Sequence, residues 1–216
     1  MNTFVLPARY STASVRAQLP VKRCLDIVGG SLGLALLSPV LAAIAIAVRL
    51  DSRGPVFYRW NVVGLRGRLF TGYKFRTMVP EAEARLAGLE SKNEMTGPAF
   101  KMRNDPRVTR IGRFLRRFSL DELPQLWSVV KGDMSLVGPR PPLRTEWSRF
   151  TPWQRRKLAV KPGVTCLWQV SGRSDIRDFS EWVRLDLEYV DNWNLLLDFK
   201  ILFATFWVVV RSKGAY

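Results

Sequence analysis

Residues Ile27 to Val48 read "IVGGSLGLALLSPVLAAIAIAV", a run of 22 residues without a charge. As one straight helix it would extend about 33 Å, the depth of a bilayer's hydrocarbon core. No other segment limits the possible folds as much. Ser38-Pro39 stands near its middle, and a proline inside a helix removes a backbone hydrogen bond and bends the axis. Lys22 and Arg23 precede the run, and Arg49 and Arg53 follow it. Basic flanks favour the cytoplasmic side of a membrane. A re-entrant helix, dipping in, turning at Ser38-Pro39 and returning to the same side, accommodates both the break and the two basic ends. The Ser38 hydroxyl could then pair with a carbonyl freed by the bend. A proline-kinked spanning helix and a buried core helix are the alternatives. Gly29-x-x-x-Gly33 is a weak helix-packing signal. A second apolar stretch, "LLLDFKILFATFWVVV" from Leu195 to Val210, is interrupted by Asp198 and Lys200. It predicts an amphipathic helix lying in the membrane interface or, alternatively, an ordinary packed C-terminal helix.

The remainder is strongly basic. Lys and Arg number 34 against 18 Asp and Glu, a formal net charge of +16. A hydrophobic fraction of 47%, with 8 Trp and 12 Phe, excludes a disordered polycation. The charge calls for an anionic partner: nucleic acid, a nucleotide substrate or lipid headgroups. The chain has no His, which removes Ser-His triads and most zinc sites. Cys24 and Cys166 have no metal-ligand spacing and suggest no disulfide framework, so a reduced, cytosolic exposure of the polar part is expected. The first 20 residues carry two Arg and no long apolar run, and predict no cleavable signal peptide.

Along the polar part, "GPVFYRWNVVGLRGRLFTGYKFRTM" is rich in aromatic and β-branched residues, with Gly64 and Gly67 in a turn, and predicts a short β-hairpin with Lys74 and Arg76 near its end. Pro80 to Ser91 reads as a helix. Asp105-Pro106 is expected to open another through Arg117, with Arg103, Arg107, Arg110, Arg113 and Arg117 mostly on one face. That stripe is either a solvated face or a phosphate-contacting one. Ser119 is expected to begin a helix to about Lys131. Thr151-Pro152 caps a short helix, and Phe179 to Asp191 forms another. No repeat or low-complexity tract divides the chain. The expected organisation is an N-terminal extension over 1–20, a membrane helix over 21–50 and a catalytic unit over 51–216.

"SLDELPQLW", residues 119–127, sets two carboxylates side by side in this basic setting. Ser119-x-x-Glu122 fits a capping box, in which the hydroxyl takes the Glu122 N–H and the carboxylate answers to Ser119. Asp121 is not explained by it. A first-turn Asp beside Arg116 and Arg117 is expected to stay ionised, and an oriented carboxylate is a nucleophile toward phosphorus. Gly138-Pro139-Arg140-Pro141 fixes a guanidinium between two prolines, which suits bidentate phosphate contact, though a rigid turn with a surface Arg explains it equally.

"KRCLDIVGGSLGLALLSPV", "YKFRTM", "DPRVTRIGRFLRRFSLDELPQLWSVVKGDMSLVGPRP", "KPGVTCLWQVSGR" and "LDLEYVDNW" occur in that order. From about Val21 onward the chain resembles the bacterial sugar transferase family, the monotopic polyprenyl-phosphate phosphoglycosyl transferases, in its minimal form. The resemblance implies an α+β, mainly helical, monotopic membrane protein on the cytoplasmic face of the bacterial inner membrane, with a re-entrant helix broken at Ser38-Pro39, a small hairpin and interfacial helices. It implies transfer of a sugar 1-phosphate from a UDP-sugar to undecaprenyl phosphate with release of UMP, the first membrane step of surface-glycan or exopolysaccharide synthesis. Asp121 would be the nucleophile. Glu122 would assist deprotonation of the acceptor or hold the metal. Mg²⁺ would be bound at Asp121. Arg140, Arg117, Arg173 and Lys74 would contact substrate phosphates. "LWQVSGRSD" points weakly to glucose or galactose. Asp186 and Asp191 match the family without an assigned role and could simply pair with surplus cations. Anionic lipids are expected partners, nucleic acid is not, and a homo-oligomer is left open. A membrane-tethered nucleic-acid-binding protein and a non-catalytic scaffold are the competing readings; neither accounts for the acid pair.

Overall fold

The computed structural model describes residues 4, 7–172 and 175–211. The uncharged run is part of a 39-residue helix, α1 (Ala13–Asp51), which takes in the end of the expected N-terminal extension. Thr12 caps it, its hydroxyl accepting the Val15 N–H at 3.4 Å. Pro20 and Pro39 both lie inside the helix. Pro39 cannot donate to Ala35 O, four residues back. The Ser38 hydroxyl donates to that carbonyl at 2.8 Å, the partner anticipated for it. α1 is long and apolar enough to cross a membrane, by length and composition.

α1 is docked at both ends. Arg23 donates to Val129 O and Val130 O at 2.7 and 2.8 Å, and Asp26 accepts from Ser135 Oγ and Leu136 N, both at 2.9 Å. Lys22 pairs with Asp198 at 2.6 Å. Gly33 of the GxxxG pair lies against Leu126, close enough that a Cβ there would sit 3.0 Å from Leu126 Cδ1. Farther along, Ile44 and Val48 share a cluster with Phe75 and Leu115, flanked by Leu41, Ile111 and Leu120. The outer face is bare: Leu36 is 77% and Leu50 82% exposed.

The hairpin forms as expected: β1 (Phe57–Val63) pairs antiparallel with β2 (Leu69–Phe75), with Trp60 opposite Gly72 and Phe57 opposite Phe75. Beyond β2, Arg76 turns inward and caps the end of α1, donating to Arg53 O, Val48 O, Ser52 O and Ser52 Oγ. Gly54, at φ +124°, makes room for it, since a Cβ there would fall 2.1 Å from Arg76 Nη1.

Three expected boundaries are corrected. Pro80–Leu86 is a series of turns followed by a 3-10 helix, Ala87–Lys92, rather than an α-helix over 80–91. Arg107 Nη1 takes the Ala82 carbonyl at 3.2 Å, and Leu86 N bonds to Glu83 O instead. The next helix, α2 (Arg110–Arg117), starts at Thr109, whose hydroxyl accepts the Gly112 N–H at 3.0 Å. Asp105 is held in a two-toothed pair with buried Arg107, and Val108 bridges to Met78 as extended chain. The Arg stripe is therefore shorter than expected, because Arg107 is an internal group. Third, no α-helix begins at Ser119. A 3-10 turn, Leu120–Gln125, precedes α3 (Leu126–Lys131). Pro124 has no N–H to give the Leu120 carbonyl, which an α-helix through this segment would require.

β3 (Ser135–Val137) pairs in parallel with β4 (Gly163–Thr165). Between them lie α4 (Arg144–Ser148) and α5 (Pro152–Arg155), the latter with the expected Thr151 cap and a Thr151–Gln154 capping box. One turn, α6 (Leu167–Val170), leads to α7 (Phe179–Asn192). The last helix is α8 (Leu195–Arg211). Its Asp198, which interrupts the apolar pattern, faces inward and accepts from Lys22, Tyr189 and Trp193. Its opposite side bears Phe199, Phe203, Phe206 and Trp207, all exposed. The two expected roles of this helix are thus combined, one face packed and one face apolar and open.

Candidate active site

The acid pair occupies the 3-10 turn between α2 and α3. Ser119, just ahead of it, is left-handed at φ 56° and makes no side-chain cap. The capping box is replaced by a backbone bond, Glu122 N to Ser119 O at 3.2 Å. Left-handed backbone is costly for a residue with a Cβ. Here it swings the chain out of α2 and brings the turn against β2. Leu120 anchors the turn in the cluster of Ile44, Val48, Phe75 and Leu115.

That placement decides the partners of the two acids. Glu122 Oε1 accepts from Lys74 Nζ of β2 at 2.6 Å. The Lys74 ammonium also lies 4.2 Å from the ring centre of Trp60, the aromatic across the hairpin, a cation–π arrangement. Glu122 Oε2 accepts a longer bond, 3.4 Å, from Gln169 Nε2 of α6. Asp121 lies beside Arg116. Burial lowers the pKa of the Arg116 guanidinium from its ordinary value, and the charge of Asp121 is the foremost influence pulling it back up. Arg116 Nε is also fixed by Thr77 Oγ1 at 2.9 Å. One carboxylate is thus held by an ammonium and the other faces a partly desolvated guanidinium, where charges interact more strongly than in water.

Of the expected phosphate ligands, Lys74 is brought directly to the acid pair. Arg117 is exposed in the last turn of α2, its guanidinium 5.7 Å from the Phe118 ring. Arg140 lies on a separate platform, 5.0 Å from the ring of Trp182, which stacks on Trp168 at 4.3 Å. Beneath it is a fully buried ion pair, Lys157 with Asp186. Burial raises the Asp186 pKa, with Lys157 and then Arg140 opposing. Asp191 pairs with Arg156 at 2.8 Å, so both acids of unassigned role do pair with cations. Arg173 lies outside the described residues.

Sequence reasoning missed Gln169 and the aromatic seats of Lys74 and Arg140. The clustering of Cys166, Trp168 and Gln169 in one short motif could have hinted at Gln169; nothing so local signals Trp60 or Trp182 as a seat. As for metal, no group of three or more His, Cys, Asp or Glu side chains able to hold an ion occurs among the described residues. Mg²⁺ commonly takes one or two carboxylates and completes its shell with substrate phosphates and water. The acid pair fits that partial role.

A family model described as bacterial sugar transferase matches residues 17–212. The chain is 46% identical over 199 residues to the galactosyl transferase CpsE of Streptococcus agalactiae, covering 92% of this chain and 44% of that one. It is 46% identical over 200 residues to the undecaprenyl-phosphate galactose phosphotransferase of Salmonella typhimurium, covering 91% and 42%. It is 39% identical over 199 residues to the exopolysaccharide production protein ExoY of Rhizobium meliloti, covering 90% and 88%. The chain spans less than half of the first two relatives and most of the third.

Proposed function

Because this chain belongs to the bacterial sugar transferase family, we propose that it transfers a sugar 1-phosphate from a UDP-sugar to polyprenyl phosphate through a covalent intermediate on Asp121. The observation that carries this reading is the pairing of one acid, Glu122, with Lys74 while its neighbour, Asp121, faces Arg116. A carboxylate kept beside a guanidinium meets both needs of the reaction, an ionised nucleophile and a cation for phosphate charge.

In the first displacement an Asp121 oxygen bonds to the sugar-bearing phosphorus and the bond from that phosphorus to UMP breaks. In the second, an oxygen of the polyprenyl phosphate bonds to the same phosphorus and Asp121 leaves as carboxylate. Each step exchanges one P–O bond for another. The acceptor phosphate needs little help from a base, since its second pKa is near 6; Glu122 acts by holding Lys74. Arg140, and Arg117 at the exposed end of α2, supply further phosphate contacts. Mg²⁺ held by Asp121 would neutralise phosphate charge and polarise the reacting phosphoryl group.

The membrane arrangement belongs to the same proposal: α1 dips into the cytoplasmic leaflet and returns. Supporting it, residues at both ends of the apolar run bond to one body. Lys22 and Arg23 do so at one end. At the other, Asp51 Oδ2 accepts the Ile111 N–H at 3.2 Å. The open faces of α1 and α8 would lie against lipid, and the surplus positive charge would meet anionic headgroups.

The test is UMP release across a panel of UDP-sugars, UDP-galactose first, with undecaprenyl phosphate. Turnover that Asp121→Asn abolishes supports the reading; full turnover by that variant removes the nucleophile. For topology, single cysteines placed at Ser11 and at Arg53 in a Cys24→Ser background should react from the same side of sealed vesicles, and labelling from opposite sides means a crossing helix.

A further inference from the structure

Gln169 stands on α6, a single helical turn whose neighbouring Trp168 is locked into the core by stacking on Trp182. Its side-chain amide has two different ends. Oε1 lies 3.5 Å from the Cys166 thiol and Nε2 lies 3.4 Å from Glu122 Oε2. An ionised carboxylate only accepts hydrogen bonds, so the end facing Glu122 must be the NH2. The other end agrees: Cys166 is fully buried, burial pushes its thiol pKa up, and it stays an S–H donor toward the amide oxygen.

We propose that Gln169 is a positioning residue for the acid pair, fixing the Glu122 carboxylate from the side opposite Lys74. The proposal rests on the transferase reading above. Lys74 holds Oε1 and Gln169 meets Oε2. A second donor on the other oxygen sets the plane of the carboxylate and, through it, the place of the Lys74 ammonium over Trp60. The same turn carries a second consequence. Trp168 supports Trp182, and Trp182 carries Arg140. One turn of helix thus ties the orientation of the acid pair to the seat of Arg140.

The experiment uses the full chain in detergent, with Gln169→Leu, which removes the donor at similar volume, and the isosteric Gln169→Glu. With UDP-galactose and undecaprenyl phosphate, Gln169→Leu should lower kcat about 10- to 100-fold, the range for losing a hydrogen bond to a charged group, with KM for the nucleotide sugar changed much less. Gln169→Glu sets two carboxylates face to face. It should be nearly inactive at about pH 8 and regain activity toward pH 6, where the pair shares a proton; wild type should show no such recovery, and loss of packing would not produce one. A readout independent of turnover is the Glu122 carboxyl ¹³C signal, identified by its absence in Glu122→Gln, which should move in Gln169→Leu. Signal movement in a protein that turns over no UDP-sugar would uphold the contact and defeat the transferase reading. Wild-type kcat and pH profile in both variants, with an unmoved signal, would overturn the proposal.

Discussion

Lys157→Met isolates the buried ion pair under the Arg140 platform. Lys157 and Asp186 are 1% and 0% exposed at their side chains, so the substitution strands a carboxylate out of reach of water. Removing one partner of such a pair costs about 3–5 kcal/mol, which for a domain of this size is a fall in Tm of about 6–20 °C. The cost depends on pH in a set direction. Burial already raises the Asp186 pKa against the pull of Lys157, and without the lysine it rises further. The native state then holds a proton that the unfolded chain has lost. Stability therefore declines as pH rises from the ordinary aspartate range through the raised pKa, and levels off above it. The deficit of Lys157→Met should be largest at neutral pH, shrink as pH falls toward about 4, and vanish only below the ordinary aspartate pKa, where the unfolded chain is protonated too. A second substitution, Asp186→Leu, removes the stranded charge and should restore most of the loss. Thermal unfolding in detergent at the two pH values measures all three proteins. A Lys157→Met protein with wild-type Tm at neutral pH, or a deficit that grows on acidification, would refute the reasoning.

Arg76→Lys keeps the charge but not the fork that serves Val48, Ser52 and Arg53 carbonyls together; it should cost about 2–3 kcal/mol in denaturant unfolding. Ser119→Gly should hold or gain stability by relieving the left-handed backbone, by about 1 kcal/mol, whereas a working capping box would make the same change a loss. Cys24 is exposed and Cys166 buried, so a maleimide probe should label native protein once, at Cys24, and twice only after unfolding.

What could be read from the sequence was local. The apolar run, the hairpin around Gly64 and Gly67, the Thr151 cap, α7 and α8 all follow from periodicity and from residues a few positions apart. The errors arose where distant groups intervened. Arg107 takes the Ala82 carbonyl from 25 positions away and unwinds a helix that composition favours. Part of the positive charge is engaged inside the fold for the same reason. Lys22, Arg23, Arg76, Arg107 and Lys157 serve as caps and internal ion pairs, all but the Arg107–Asp105 pair with distant partners. In the candidate site, the acid pair and Lys74 were legible as motifs. Their mutual contact spans 48 positions, and the bond from Gln169 to Glu122 spans 47. No rule of spacing foretells such pairs; the packing of β2 and α6 on the acid turn creates them.

The covalent step is tested most directly by mass spectrometry of protein quenched after mixing with UDP-sugar in the absence of lipid acceptor. The account predicts a sugar-phosphate adduct on the peptide containing Asp121, discharged when polyprenyl phosphate is added. Sustained UMP and lipid-product formation with that aspartate never modified would contradict it.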